Sequence, residues 1–178
     1  MKIIADVGGT RGRWVFVDKL SKKIIETRGF NPYIHSRSIL DKIIKELNNF
    51  FDFDILKEVK YYGAGVNNNY SKKIIIDTLK ESLKDADIEV FSDLLGSCQS
   101  LCNNKTGIVS ILGTGSNSCL YDGKKIINQI NSLGYLIGDE GSAYSLGKRF
   151  IKMHLRGELS TEISKSFDKI NKDDRNYL

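Results

Sequence analysis

Two short glycine turns hold the residue types best suited to chemistry. The first lies in Asp6-Val7-Gly8-Gly9-Thr10 and the second in Gly113-Thr114-Gly115-Ser116. Glycine lets backbone N–H groups approach an anion closely, and a threonine or serine hydroxyl adds a further donor. Asp6 closes an apolar run and stands beside the first turn. A carboxylate placed there, next to bound phosphate, suits a hydrated Mg²⁺ ion. The chemistry expected is therefore the binding of a phosphorylated ligand, a nucleotide included. It is not that of a Walker P-loop, because no Gly-x-x-x-x-Gly-Lys-Ser/Thr stretch occurs. It is not a dinucleotide fingerprint either, because a strand rather than a helix follows each turn.

The elements that must position these turns follow from periodicity. Residues 2–6 read as a strand, the first turn follows, and residues 14–17 and 24–27 continue as strands around a hairpin turn at Asp18-Lys19-Leu20-Ser21. Ile39, Leu40, Ile43, Ile44, Leu47 and Phe51 share one helical face, with Ser36 or Ser38 as cap. A strand at 59–62, a helix carrying Ile74, Ile75, Leu79 and Leu83, a strand at 88–91 and a short helix through Leu101 complete a βββαβαβ unit. A meander followed by alternating helices and strands predicts an α/β fold with a mixed sheet.

The pattern then restarts. Residues 106–112 and 117–121 read as strands around the second glycine turn. Asp122-Gly123 is a hairpin signal leading to a strand at 124–130, and a helix spans 140–155. Gly8 and Gly113 lie 105 residues apart and open the same meander, which indicates an internal duplication. The expected domains are a complete lobe at 1–104 and the beginning of a second at 105–178. Residues 156–178 are polar and lack a strand-like run, so the second lobe is expected to be truncated, with a sheet edge and helix faces left uncovered.

Composition narrows the classes. Hydrophobic residues make up 40% of the 178 and charged residues 28%, as in a folded soluble chain. No apolar run reaches the ~18 residues of a membrane span, and the early Asp6 argues against a secretory signal; a cytoplasmic protein without membrane association is expected. The 27 Lys and Arg against 22 Asp and Glu give +5, which permits an anionic ligand. The basic residues alternate with acids rather than forming a stripe with aromatics, so nucleic acid is not expected as a partner. Cys98, Cys102 and Cys119 match neither a zinc knuckle nor a redox pair and read as buried thiols.

The motifs resemble those of a known group. Asp6-Val7-Gly8-Gly9-Thr10 resembles the first phosphate motif of the sugar kinase, heat-shock chaperone and actin superfamily, and residues 111–117 resemble its second. Gly134-Tyr135-Leu136-Ile137-Gly138-Asp139-Glu140-Gly141-Ser142-Ala143-Tyr144 resembles the signature of N-acetylglucosamine kinases, within the wider BadF/BadG-type ATPase family. The resemblance covers essentially the whole chain and implies a ribonuclease H-like, actin-like ATPase fold in which both turns line a cleft. It implies that Gly8, Gly9, Thr10, Arg11, Gly113, Thr114, Gly115 and Ser116 contact ATP phosphates and that Asp6 holds Mg²⁺. It makes Asp93 the catalytic base toward a sugar hydroxyl. Asn31, Asp93, Asn117, Gly134, Tyr135 and Asp139 become sugar contacts. Without the resemblance, Asp93 would read as a helix N-cap, Asn31 as turn chemistry and Asp139 as a helix cap. Tyr135 stands where related kinases often carry Trp, and Arg11 where Lys is frequent.

The function implied is ATP-dependent phosphorylation of an amino sugar, N-acetylglucosamine at its 6-hydroxyl first, with the present chain as an inactive fragment being one form of that expectation. The partners expected are the sugar and ATP, and the resemblance allows a homodimer. Two alternatives differ in class. A dehydratase-activating ATPase would need cysteine ligands for an iron–sulfur cluster, and a sugar sensor would bind without transferring phosphate.

Overall fold

A computed structural model describes residues 1–130 and 133–171. Its first sheet has five strands in the order β3-β2-β1-β4-β5. They are β1 (Lys2–Val7), β2 (Arg11–Val17), β3 (Lys22–Arg28), β4 (Glu58–Gly63) and β5 (Asp87–Ser92). The meander pairs antiparallel, while β1–β4 and β4–β5 pair parallel. The mixed sheet is the one the element order predicts.

Strict alternation fixes this sheet's face. Ile3, Ala5 and Val7 of β1 are buried while Lys2, Ile4 and Asp6 are exposed, so the same two-residue period that buries the core presents Asp6 outward. Helix α1 (Arg37–Asn48) buries Leu40, Ile43, Ile44 and Leu47, and α2 (Asn69–Ser82) buries Ile75 and Leu79. Both helices pack in one core with Trp14, Phe16, Phe30 and Tyr61. Ser36 sits at the cap position of α1 without a side-chain cap bond. Asn68 caps α2 through a reciprocal box with Ser71.

Helix α3 (Asp93–Cys102) leads to a second sheet in the order β6-β7-β8, made of β6 (Gly107–Leu112), β7 (Ser116–Tyr121) and β8 (Ile126–Gln129). Leu94 and Cys98 of α3 pack with Val109, Cys119 and Tyr121. The third strand of this sheet is shorter than residues 124–130, because Asp122 Oδ1 accepts the N–H groups of Lys124 and Lys125, both at 2.8 Å, and holds them in the turn. Cys98 and Cys119 are buried free thiols with their sulfurs 3.3 Å apart, and Cys102 is half-buried.

The remaining helices are α4 (Gly134–Ile137), α5 (Ala143–Leu155) and α6 (Thr161–Asn171). Helix α5 starts later than residue 140 because Asp139 and Gly141 take positive φ values, 58° and 76°, which end any helical path. Helix α6 was not signalled among the polar residues after 155. It is organised by Phe167, whose ring meets Phe150 and His154. The chain divides into two compact units, Met1–Ile111 with Asn117–Asn131, and Leu112–Ser116 with Ser132–Leu178. Among the described residues no helix is long and apolar enough to cross a membrane.

Candidate active site

In the first unit the sheet's carboxyl ends carry the candidate residues. The β1–β2 turn places Gly8, Gly9 and Thr10, closed by Gly8 N–H donating to Arg11 C=O at 2.9 Å. The segment after β3 braces that turn from behind. Gly29 N–H donates to Thr10 C=O at 2.8 Å and Phe30 N–H donates to Gly8 C=O at 3.0 Å. The approach is so close that a Cβ on Gly29 would fall within 2.6 Å of backbone atoms of Gly9 and Thr10. Only glycine permits this contact.

Asp93 opens α3 immediately after β5. The cap itself is Ser92, whose hydroxyl accepts the Leu95 N–H at 3.2 Å. The capping role is thus filled by its neighbour. Asp93 Oδ1 accepts the adjacent Leu94 N–H at 2.8 Å. Burial holds the Asp93 carboxyl above its usual value, opposed by that N–H bond and reinforced by the Asp6 charge. Asp6, Gly8, Arg11, Asp93 and Ser97 line one cavity of about 350 Å³, with the Arg13–Glu26 ion pair on its wall.

Asn31 follows Phe30, which is fully buried. Its Oδ1 accepts the Tyr33 N–H at 3.0 Å, and its carbonyl accepts the N–H groups of Ile34 and His35. Gly65, at φ 73°, lies against the Asn31 side chain, where a Cβ would collide with it. Tyr33 in turn bonds Asn67 and Asn68 at the start of α2. The loop is therefore held on two sides.

Asn117, on β7, also belongs to the first unit. Its Oδ1 accepts its neighbour's N–H at 2.9 Å and the Gln129 amide at 3.3 Å.

The second unit holds the other turn. Gly113 N–H donates to Gly115 C=O at 2.9 Å, and the start of α5 grips the turn through Ala143 N–H to Gly113 C=O and Tyr144 N–H to Thr114 C=O. Asp139 Oδ1 accepts the Ser116 N–H at 3.3 Å, so its carboxylate braces this turn. The cap of α5 is Ser142, not Asp139. Gly134 takes φ 72°, and the half-exposed Tyr135 ring packs edge-on against Tyr144 at 4.9 Å.

No family model matches the sequence, and no curated protein matches it significantly. Solved structures do match. A protein of Porphyromonas gingivalis, provisionally named an N-acetylglucosamine kinase, superposes with a TM-score of 0.88 at 33% identity, over 97% of this chain and 62% of that one. A similarly named protein of Chromobacterium violaceum superposes at 0.70 with 19% identity, covering 95% and 63%. MreB5 of Spiroplasma citri, bound to ADP, superposes at 0.52 with 8% identity, covering 72% and 50%. The last two show a shared fold.

These likenesses are consistent with the N-acetylglucosamine kinase-like resemblance, and the chain has the actin-like ATPase fold. It spans about 62% of the length of the first of these relatives. The structure brings Asp6, Gly8, Arg11 and Asp93 to one cavity. The second turn is gathered with Asp139. Sequence reasoning missed Gly29 as the brace of the first turn, because a glycine after a strand reads as an ordinary turn residue. It also missed Ser97, which sits one helical turn past Asp93 and has no motif to flag it.

Proposed function

We propose that the protein is an ATP-dependent sugar kinase whose acceptor is an amino sugar, N-acetylglucosamine at its 6-hydroxyl in the first instance. The observation that carries this reading is the placing of Asp93 in the same cavity as Asp6, Gly8 and Arg11, with its carboxyl raised by burial. The name of the solved Porphyromonas gingivalis protein supports the same substrate class. The lobes of the reaction are proposed at 1–104 and 105–178.

In this reading the γ-phosphoryl group passes from ATP to the sugar hydroxyl, releasing ADP. Asp93 orients that hydroxyl and takes its proton. A raised carboxyl pKa makes the ionised Asp93 a stronger base than a surface aspartate. Backbone N–H groups around Gly8 to Thr10 hold phosphate oxygens, and Arg11 adds positive charge. The turn at Gly113 to Ser116 is assigned the same kind of phosphate contact. Asn31, Asn117, Gly134, Tyr135 and Asp139 are assigned to the sugar. Phosphoryl transfer relies mainly on such positioning and charge stabilisation.

The donor set fits Mg²⁺. Asp6 is an exposed hard-oxygen ligand on the cavity, and its charge already acts on Asp93, so a cation there would relieve the repulsion. Asp6 would hold the ion through water, and the ion would neutralise phosphate charge.

The test is ADP release with Mg·ATP over a panel of sugars, with Asp93→Asn alongside. Sugar-dependent release, lost in the variant, supports the reading. Release that does not depend on sugar, or that survives in Asp93→Asn, removes it.

A further inference from the structure

Asn31 is the proposed sugar contact whose geometry is most completely determined in the structure, and one neighbour stands out in it. The Asn31 backbone N–H donates to His35 Nδ1 at 3.1 Å. A backbone N–H can only donate, so Nδ1 must be the unprotonated ring nitrogen and Nε2 must carry the proton. The same logic fixes the amide. Oδ1 accepts the Tyr33 N–H at 3.0 Å, which leaves Nδ2 as the donor end of the side chain. His35 closes this ring of bonds, because its own N–H donates back to the Asn31 carbonyl at 2.9 Å. His35 is half-buried, and its ring lies 6.2 Å from that of Phe30, the buried residue whose N–H braces the first glycine turn.

We propose that His35 is a positioning residue for the acceptor sugar: its imidazole Nδ1, by accepting the Asn31 N–H, holds Asn31 with its Nδ2 amide presented to a sugar hydroxyl or carbonyl. The proposal rests on the sugar-kinase reading for the identity of the ligand, but the His35–Asn31 bond stands on geometry alone. With its backbone N–H held by His35 Nδ1, its carbonyl by the Ile34 and His35 N–H groups, and its side-chain oxygen by the Tyr33 N–H, Asn31 meets its ligand with backbone and rotamer already set. Less conformational entropy is then lost on binding. Polar recognition of this kind also discriminates between sugars that differ by one group, because a mismatched sugar leaves the amide unpaired.

The experiment compares His35→Ala, which removes the acceptor, with His35→Asn, whose side-chain oxygen can replace Nδ1 as acceptor. Two readouts are taken on the full chain: the exchange rate of the Asn31 amide proton by NMR, and the dissociation constants of N-acetylglucosamine and of Mg·ATP by calorimetry. In His35→Ala the Asn31 amide should exchange at least about tenfold faster and sugar affinity should fall about tenfold, which corresponds to one hydrogen bond's worth of positioning. Mg·ATP affinity should stay unchanged. His35→Asn should restore both sugar affinity and amide protection. Wild-type exchange and sugar affinity in His35→Ala would overturn the proposal. So would equal losses in both variants, since ring packing rather than the acceptor would then be responsible. A wild-type chain that binds no sugar overturns the ligand assignment on which the proposal rests. The amide-exchange comparison then still shows whether the His35–Asn31 bond exists.

Discussion

Asp93 faces two opposing demands. Folding desolvates its carboxyl and sets it near Asp6, and both raise its pKa, while the Leu94 N–H lowers it. A carboxyl raised in the folded state favours the protonated form, so its contribution to stability is present below its unfolded value and lost as pH rises through the folded one. Ionising Asp93 above its raised folded value therefore costs stability. Asp93→Asn should raise the melting temperature at pH 7, with the gain shrinking as the pH is lowered into the carboxylate range; thermal melts at several pH values check this. The same variant should lose about 10²–10⁴-fold in phosphoryl transfer if Asp93 is the base. The acid limb of the wild-type rate profile should lie above the ordinary carboxylate range, because the base must be ionised to act. A limb at or below that range would contradict the assignment. Asp139 illustrates what residue type alone leaves open. As a carboxylate in a signature stretch it was expected at the sugar, and it bonds the Ser116 N–H as well.

At the scale of elements, the first phosphate turn depends on a contact between segments that are distant in sequence. Gly29 lies after β3 yet meets the backbone of the β1–β2 turn. Gly29→Ala should push that turn away and raise the KM for ATP by about tenfold or more, since a shift of about 1 Å can cost 10²-fold in rate. Steady-state kinetics with ATP varied at saturating sugar measures it; an unchanged KM would show that the turn does not hold phosphate. Much of the element order was legible because period-2 and period-3.6 patterns are local. Ile3, Ala5 and Val7 alternate, and Leu40, Ile43, Ile44 and Leu47 share one stripe. The brace at Gly29 was not legible, because nothing local distinguishes a glycine that another backbone approaches from one in an open turn. The shortened β8 was hidden for a related reason. Lys124 and Lys125, expected to open it, bond Asp122 in the hairpin turn rather than a strand partner.

At the scale of the whole molecule, the two units differ in how well each buries its own apolar residues. The first has α1, with four buried residues, and a continuous core around Trp14 and Tyr61. In the second, α5 buries none, and Leu155 is 79% exposed. Local stability follows buried contacts. Amide hydrogens of β1 and β4 should therefore exchange at least about tenfold more slowly than those of α5 and α6, measured by hydrogen-exchange mass spectrometry; equal protection would contradict this picture. The duplication itself was readable from the two glycine turns 105 residues apart, whereas no local pattern in the sequence reported how little of α5 is buried. The central claim is that a phosphoryl group leaves ATP for a sugar hydroxyl. Its most direct test is ³¹P NMR of Mg·ATP and N-acetylglucosamine incubated with the protein. The account predicts a sugar phosphate resonance growing in step with ADP. Inorganic phosphate with unmodified sugar, or no transfer by protein shown to bind both ligands, would contradict it.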